Sequence, residues 1–313
     1  MGTRLAICAT LVALAGLGAT PALAGGPVGI TTGPDGALWF TNPTANTIGR
    51  LTTTGALTTF TSPAVSRPWS IAKGPDGALW FTNRGNDTIG RITTVGRISA
   101  IDVGVTEGIH DPIAIVAGPD GTLWFTNHDG KSIGSVNPNG DVNVYQAQSV
   151  SAPTAIVLGT DTALWFTNRG NDTIGRITTD GTVTRIRRTA FSGPRGIAVG
   201  ADGALWVTNQ NRHSVTATAL DGKTRTVALT GEFDHDPFGI TAGPGKTMWF
   251  TIPAANAIGR IDTAGNLKTF RGHGISEPLE IALGPDGALW FANRGSNSIG
   301  RITATGAVRI FKG

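Results

Sequence analysis

The chain has 313 residues, of which only 15% are Asp, Glu, Lys or Arg, and its formal net charge is +4. The charges are dispersed, with no basic run and no interleaved aromatics, which argues against nucleic acid as a partner. A single cysteine, Cys8, rules out a disulfide framework.

Met1 to Ala24 reads as a secretory signal, with Arg4 as the positive start, Leu5 to Leu17 as the apolar stretch and Ala22-Leu23-Ala24 as a small-x-small cleavage site. The apolar stretch is too short to span a membrane. The expectation is cleavage after Ala24 and a secreted, extracellular mature domain over 25–313, without a membrane span. Cys8 leaves with the signal, so stability must come from packing alone.

Residues 26–61 then break into four short stretches rich in β-branched and aromatic residues. They are strand A (Val28 to Thr32), strand B (Ala37 to Thr41), strand C (Thr47 to Thr52) and strand D (Ala56 to Thr61). Gly33-Pro34-Asp35-Gly36 forms a tight turn between A and B, where Pro presets φ and Gly accommodates the rest of the bend. Asn42 to Asn46 joins B to C, and a turn ending at Gly55 joins C to D. The unit is a four-stranded antiparallel meander.

The unit recurs. Its Trp falls at Trp39, Trp80, Trp124, Trp165, Trp206, Trp249 and Trp290, spaced by 41, 44, 41, 41, 43 and 41 residues. A Pro always lies twelve residues earlier (Pro27, Pro68, Pro112, Pro153, Pro194, Pro237, Pro278) and a Gly sixteen later (Gly55 through Gly306), so all length variation falls between strand D and the next Pro. A lone sheet of this size cannot bury both faces, and repeats of roughly 40 to 50 residues stack radially as blades. The expected fold is all-β: one seven-bladed β-propeller of four-stranded antiparallel blades, a monomer, closed by packing because strand D of the last blade (Ala307 to Phe311) belongs to the same repeat.

Residues that repeat are expected to be scaffold. The Trp series fills the gap between blades, and the Asn three residues after it (Asn42, Asn83, Asn127, Asn168, Asn209, Asn293) starts the B–C loop with a local Asx turn. Arg50, Arg91, Arg176, Arg260 and Arg301 share one strand C position, where they pair with turn carboxylates such as Asp35 or form a ligand ring.

Residues that break the repeat point to a site. The two longer spacings add residues before Pro112 and Pro237, and both loops end in His-Asp-Pro: His110-Asp111 and His235-Asp236. The D–A loops open on one face around the axis, and loops on a rigid scaffold carry function. At this mouth the residue after each anchor Pro varies: Val28, Trp69, Ile113, Thr154, Arg195, Phe238 and Leu279. One position further, six small residues are followed by Glu280, a carboxylate that needs a cation, a basic partner or a raised pKa. Glu277 and His273 lie nearby in sequence, making a carboxylate and His site at blade seven a further hypothesis.

The phrase Pro-x-Gly-Ile-x-x-Gly-Pro-Asp-Gly-x-Leu-Trp-Phe-Thr, with Ile-Gly-Arg-Ile-Thr, resembles the blade repeat of the streptogramin B (virginiamycin B) lyases over essentially the whole mature chain. That resemblance implies a seven-bladed propeller and an Mg²⁺-dependent elimination that opens a cyclic depsipeptide antibiotic at its ester, a route to antibiotic resistance. It also implies a Tyr after the first anchor Pro, a substrate-contacting His after the sixth, a Glu-Pro-His at the seventh whose Glu holds Mg²⁺ and whose His is the general base, and a further acidic ligand four residues beyond the last Trp. Here those positions hold Val28, Phe238, Glu277-Pro278-Leu279 and Arg294, so only Glu277 is kept.

Two functions are expected from these residues. In the first, the mouth binds a peptide-like or small cyclic molecule through Trp69, His110, Asp111, Arg195, Asp236 and Phe238. In the second, a lyase or lactonase reaction is rebuilt on His235, His273 and Glu277, with a cation on Glu277 or Glu280. A purely structural envelope or adhesion module is a third.

Overall fold

The computed structural model describes residues 26–101, 108–220 and 223–312. The secretory-signal expectation, residues 1–24, lies outside the described residues, as do Thr106 and Glu107 of the first long loop.

Seven four-stranded antiparallel sheets succeed one another along the chain, each pairing its strands in the order A-B-C-D. In blade one the strands run Ile30–Thr32, Leu38–Asn42, Thr47–Leu51 and Leu57–Thr61. Strand A is innermost, because the A strands of successive blades pack on one another. The ring closes where strand A of blade seven, Pro278–Leu283, meets strand A of blade one. Blade seven carries its own outer strand, Val308–Lys312, laddered to Ser298–Ile302, so the closure is packing between complete blades. Because the strands of each blade are antiparallel, the described B–C and D–A connections emerge on one face of the disc, and the described A–B and C–D turns on the other.

The Trp side chains are scaffold, as their repetition suggests. Trp39 packs with Ile71, Leu79 and Phe81 of blade two, and the same step repeats around the ring until Trp290 packs with Leu38 and Phe40 of blade one. Where strand D carries an aromatic, it stacks on its own blade's Trp, at 5.5 Å for Phe60 on Trp39 and 5.1 Å for Phe311 on Trp290. That ring also reaches the C–D turn of the next blade. A Cβ on Gly96 would lie 2.4 Å from Phe60, and one on Gly55 would lie 3.2 Å from Phe311 across the seam. Gly55 and Gly96 thus combine positive φ with a close approach that a side chain would crowd.

The strand C arginines are structural, not a ligand ring. Trp39 Nε1 donates to Asp35 Oδ1 at 3.0 Å while Arg50 Nε bonds Asp35 Oδ2 at 2.6 Å, and Arg91, Arg176 and Arg301 repeat the arrangement on Asp76, Asp161 and Asp286. Blade six has Gly245 in place of the Asp, so Trp249 Nε1 donates to Thr247 Oγ1 and Arg260 to the Ala304 carbonyl. In blade five, Ala217 faces Trp206 and the cation comes instead from strand D, Arg225 lying 5.2 Å from the ring centre.

Burial alone would raise the carboxyls of Asp35, Asp76, Asp161 and Asp286, but the indole and guanidinium bonds outweigh it and hold all four below their ordinary value. A depressed pKa stabilises the fold above the unfolded-state value, about 3.9, and that stabilisation is lost as pH falls through the folded-state value. The melting temperature should therefore hold from neutral pH down to about 5 and fall below about 4. Thermal melts across that range check it, and a melt unchanged at pH ~3 would show that these pairs contribute nothing.

The Asn at the end of strand B corrects the local reading. Asn83 Oδ1 accepts from the backbone of Ser66 at 3.0 Å and its Nδ2 donates to the Ala64 carbonyl at 2.9 Å. Asn168, Asn209 and Asn293 accept likewise from Ser151, Ser192 and Ser276. The side chain therefore fixes the D–A loop that enters its own blade. Only Asn42 shows the expected local bond, to Ala45, at 3.4 Å.

Candidate functional site

The mouth face is built by two hydrogen-bond devices. The first is a bulge in strand A: in blade two Pro68 pairs with Asn83 but Ile71 pairs with Phe81, so Trp69 and Ser70 together oppose Thr82. That bulge re-aims the residue after the anchor Pro. The second holds the residue before it. The backbone N–H groups of Arg67, Asp111, Gly193 and Glu277 donate to Asn46, Asp87, Asp172 and Asn256 in the preceding blade's B–C loop, at 2.7 to 2.9 Å. Arg67, Asp111 and Glu277 take positive φ there, of 45°, 50° and 43°.

Inside the ring of A strands lies an axial well of about 130 Å³, walled by Trp69, Ile113, Thr154, Ile240, Arg195 and Glu280 among others. Of the seven residues after the anchor prolines, Val28, Ile113, Thr154 and Leu279 are buried, while Trp69, Arg195 and Phe238 keep surface at the mouth. The two aromatics are capped by cations: Arg84 lies 4.6 Å from the Trp69 ring centre and Arg195 4.3 Å from that of Phe238. Arg84 in turn forks onto Asp111, at 2.5 and 2.8 Å. Trp69, Arg84 and Asp111 are thus one connected rim.

Burial pushes the Arg195 guanidinium down to about 10, with Glu280 opposing the shift and Arg169 and Arg84 adding to it, so it remains charged at neutral pH. Burial likewise raises the Glu280 carboxyl, and Arg195 pulls it back. Six small residues precede Glu280 in its column because the inner strands are crowded. A Cβ on Gly29 would lie 2.5 Å from the Trp69 carbonyl oxygen, and one on Gly239 would lie 2.7 Å from the Leu279 carbonyl and 2.9 Å from Glu280 Oε2.

The sequence-predicted residues fall into three groups. Trp69, Arg195, Phe238 and Glu280 converge on the well and its mouth, and Asp111 joins them through Arg84. His110 lies beside this rim in a hollow shared with Arg67, Arg84, Asp87 and Asp111, its Nδ1 3.9 Å from Asp87. The third group stands away from the well's lining. Asp236 is bound by His213, whose Nε2 lies 3.0 Å from it while Nδ1 lies 2.7 Å from Asp234, and Glu232 binds Arg271 at 2.6 Å, so the second long loop is tied down by its neighbours. His235, His273 and Glu277 are exposed on their loops.

Residues that the sequence reading did not select for the rim are Arg84 and Arg169. They belong to the column four residues after each Trp, which reads Pro43, Arg84, His128, Arg169, Gln210, Pro253, Arg294. Since the B–C loops open on the same face as the D–A loops, that variable column was the available signal.

The residues present do not fit the Mg²⁺ that the family resemblance implies. Leu279, in place of the base, is a buried apolar side chain, and Arg294, in place of the acid, brings a like charge to the cation. Among the described residues Asp111, His128 and Asp129 bring ligand atoms within 4.8 Å of one another, but Arg84 occupies both Asp111 oxygens. Saturating a native-state site a hundredfold over Kd would add about 2.7 kcal/mol. Millimolar Mg²⁺ or EDTA should therefore shift the melting temperature by less than about a degree, whereas a rise of several degrees with Mg²⁺ would reveal a site.

These features define a closed seven-bladed β-propeller with a charged well on its axis. The model of the virginiamycin B lyase family matches residues 18–187 and 100–312. A streptogramin B lyase structure superposes with a TM-score of 0.82 at 31% identity, over 91% of this chain and 94% of that one. Virginiamycin B lyase from Staphylococcus aureus gives 0.81 at 33%, over 88% and 94%. A catalytically inactive histidine-to-alanine variant of the S. aureus enzyme with quinupristin gives 0.82 at 32%, over 93% and 98%. A search of curated proteins finds no match. The chain belongs to the virginiamycin B lyase family.

Proposed function

We propose that this chain is an exported ligand-binding propeller that keeps the family's mouth and has lost its lyase machinery. The observation that carries the reading is the rim: Trp69 and Phe238, each capped by an arginine, flank a well too small for a whole cyclic depsipeptide but large enough for one inserted group. A peptide-like or small cyclic molecule would stack on the aromatics and meet the guanidinium groups with its carbonyls. Proton removal has no agent at Leu279, and loss of a general base alone costs about 10²- to 10⁴-fold.

Quinupristin is the probe, because a family member has been captured with it. With the purified protein, tryptophan fluorescence should report saturable binding, Trp69→Ala and Phe238→Ala should each weaken it by about tenfold or more, and mass spectrometry should find the ring intact. Mg²⁺-dependent ring opening by the unmodified protein would overturn the reading in favour of an active lyase. Absence of binding would overturn it in favour of a structural module.

A further inference from the structure

Arg195 of blade five and Glu280 of blade seven both line the axial well. Among the described residues the Arg195 guanidinium has no carboxylate within the 4.0 Å of an ion pair, Glu280 included, and it lies over the Phe238 ring. The Glu280 carboxylate accepts no hydrogen bond from any described side chain or backbone group, although its Oε2 rests against Gly239. Both side chains are half-buried, and both line the well. Ionisable groups held partly out of bulk water gain from a partner of opposite charge or a hydrogen bond. A guanidinium and a carboxyl group that face one small open volume without a partner therefore mark a place for something between them.

The chemistry of that occupant is constrained from both sides. A simple anion would satisfy Arg195 but face the Glu280 carboxylate, and a simple cation would do the reverse with Arg195 and its neighbours Arg84 and Arg169. Only a group with both signs meets both demands. Ile113, Ile197 and Ile240 give the well an apolar side beside its polar one, and about 130 Å³ leaves room for a small side chain at most. Blade six contributes Gly239, whose missing side chain leaves the Glu280 carboxylate uncovered on that flank.

We propose that the axial well binds the zwitterionic head of a small α-amino acid, its carboxylate on the Arg195 guanidinium and its ammonium on Glu280. The proposal rests on the mouth being the ligand entrance and names the chemistry at its base. Arg84 and Arg169 strengthen the field that draws in the carboxylate, and the isoleucines receive the α-carbon and a short side chain.

The test is isothermal titration of the purified full protein with glycine and alanine, beside acetate and methylammonium as half-probes. Glycine or alanine should bind at least tenfold more tightly than either half-probe, and Arg195→Met and Glu280→Gln should each lose tenfold to a hundredfold, the range for one charge-assisted contact. Arg195→Lys, which keeps the charge without the fork, serves if the Met variant does not fold, and it should weaken glycine binding while retaining some. Acetate binding as tightly as glycine, with Glu280→Gln unaffected, would overturn the proposal in favour of an anion site. Absence of binding by all four probes would overturn it in favour of a water-filled well. Quinupristin binding separates the two levels: if it persists while the amino acids fail, only this inference falls, and if it fails too, the mouth reading falls with it.

Discussion

A chain ended at Gly306 should lose at least about 10 °C in melting temperature, because that cut removes the whole outer strand of blade seven. Val308–Lys312 ladders with Ser298–Ile302, whose edge would then face solvent. It also carries Phe311, which stacks on Trp290 at 5.1 Å and packs in one cluster with Ile30, Leu38, Phe40 and Leu51 of blade one. Losing a buried Phe side chain costs about 3–5 kcal/mol by itself. The ladder adds to this, and each kcal/mol is worth roughly 2–4 °C in a domain of 150–250 residues. No other strand of the described chain pairs with Ser298–Ile302 on that side, so the loss has no substitute. Phe311→Ala should give a smaller drop in the same direction. Circular dichroism melts at matched concentration decide it, and a truncated chain melting within about two degrees of the full one would mean that the seam is held elsewhere.

The fold was legible because three anchors, Pro, Trp and Gly, keep fixed offsets in every copy, and the offsets have local causes: the bulge after the Pro in five blades, the Trp in the gap between blades, and the Gly beneath the preceding blade's aromatic ring at Gly55, Gly96, Gly181 and Gly306. Closure was legible for the same reason, since Ala307 to Phe311 repeats the earlier D strands. The site was legible only in the column just past the anchor Pro, where Trp69, Arg195 and Phe238 stand out as departures from small or aliphatic residues. Arg84 and Arg169 did not stand out, because their column sits in a different loop and becomes part of the same rim only when the meander brings B–C and D–A connections to one face. Asn83 shows the same limit. Its partner Ser66 lies seventeen residues earlier, on a loop whose return to the end of strand B cannot be read from local sequence. The His-Asp-Pro loops were conspicuous for their length, yet His213, an ordinary B–C residue, ties the second one down through Asp234 and Asp236.

Thr251→Val should cost about 2–4 kcal/mol, or roughly 5–10 °C, despite being isosteric. Its hydroxyl accepts from Gly239 N–H at 3.0 Å within blade six and donates to the Leu279 carbonyl of blade seven at 2.6 Å, and both bonds are buried. Valine would leave a buried donor and a buried acceptor unmet at once, each worth about 1–3 kcal/mol. The same two-way bond is made by Thr41, Thr82, Thr126, Thr167 and Thr208, each joining its own strand A bulge to the strand A of the next blade. Only at the seam does it lapse: blade seven has Ala292, and Glu280 N–H reaches directly across to the Val28 carbonyl at a long 3.4 Å. Thr61→Val, on the exposed end of a strand D, is the control and should melt within about a degree of the parent. Ala292→Thr tests the converse: with room for the hydroxyl it should raise the melting temperature by a few degrees, about one hydrogen bond's worth. A parent-like melt for Thr251→Val would mean that these hydroxyls merely accompany the blade contacts instead of making them.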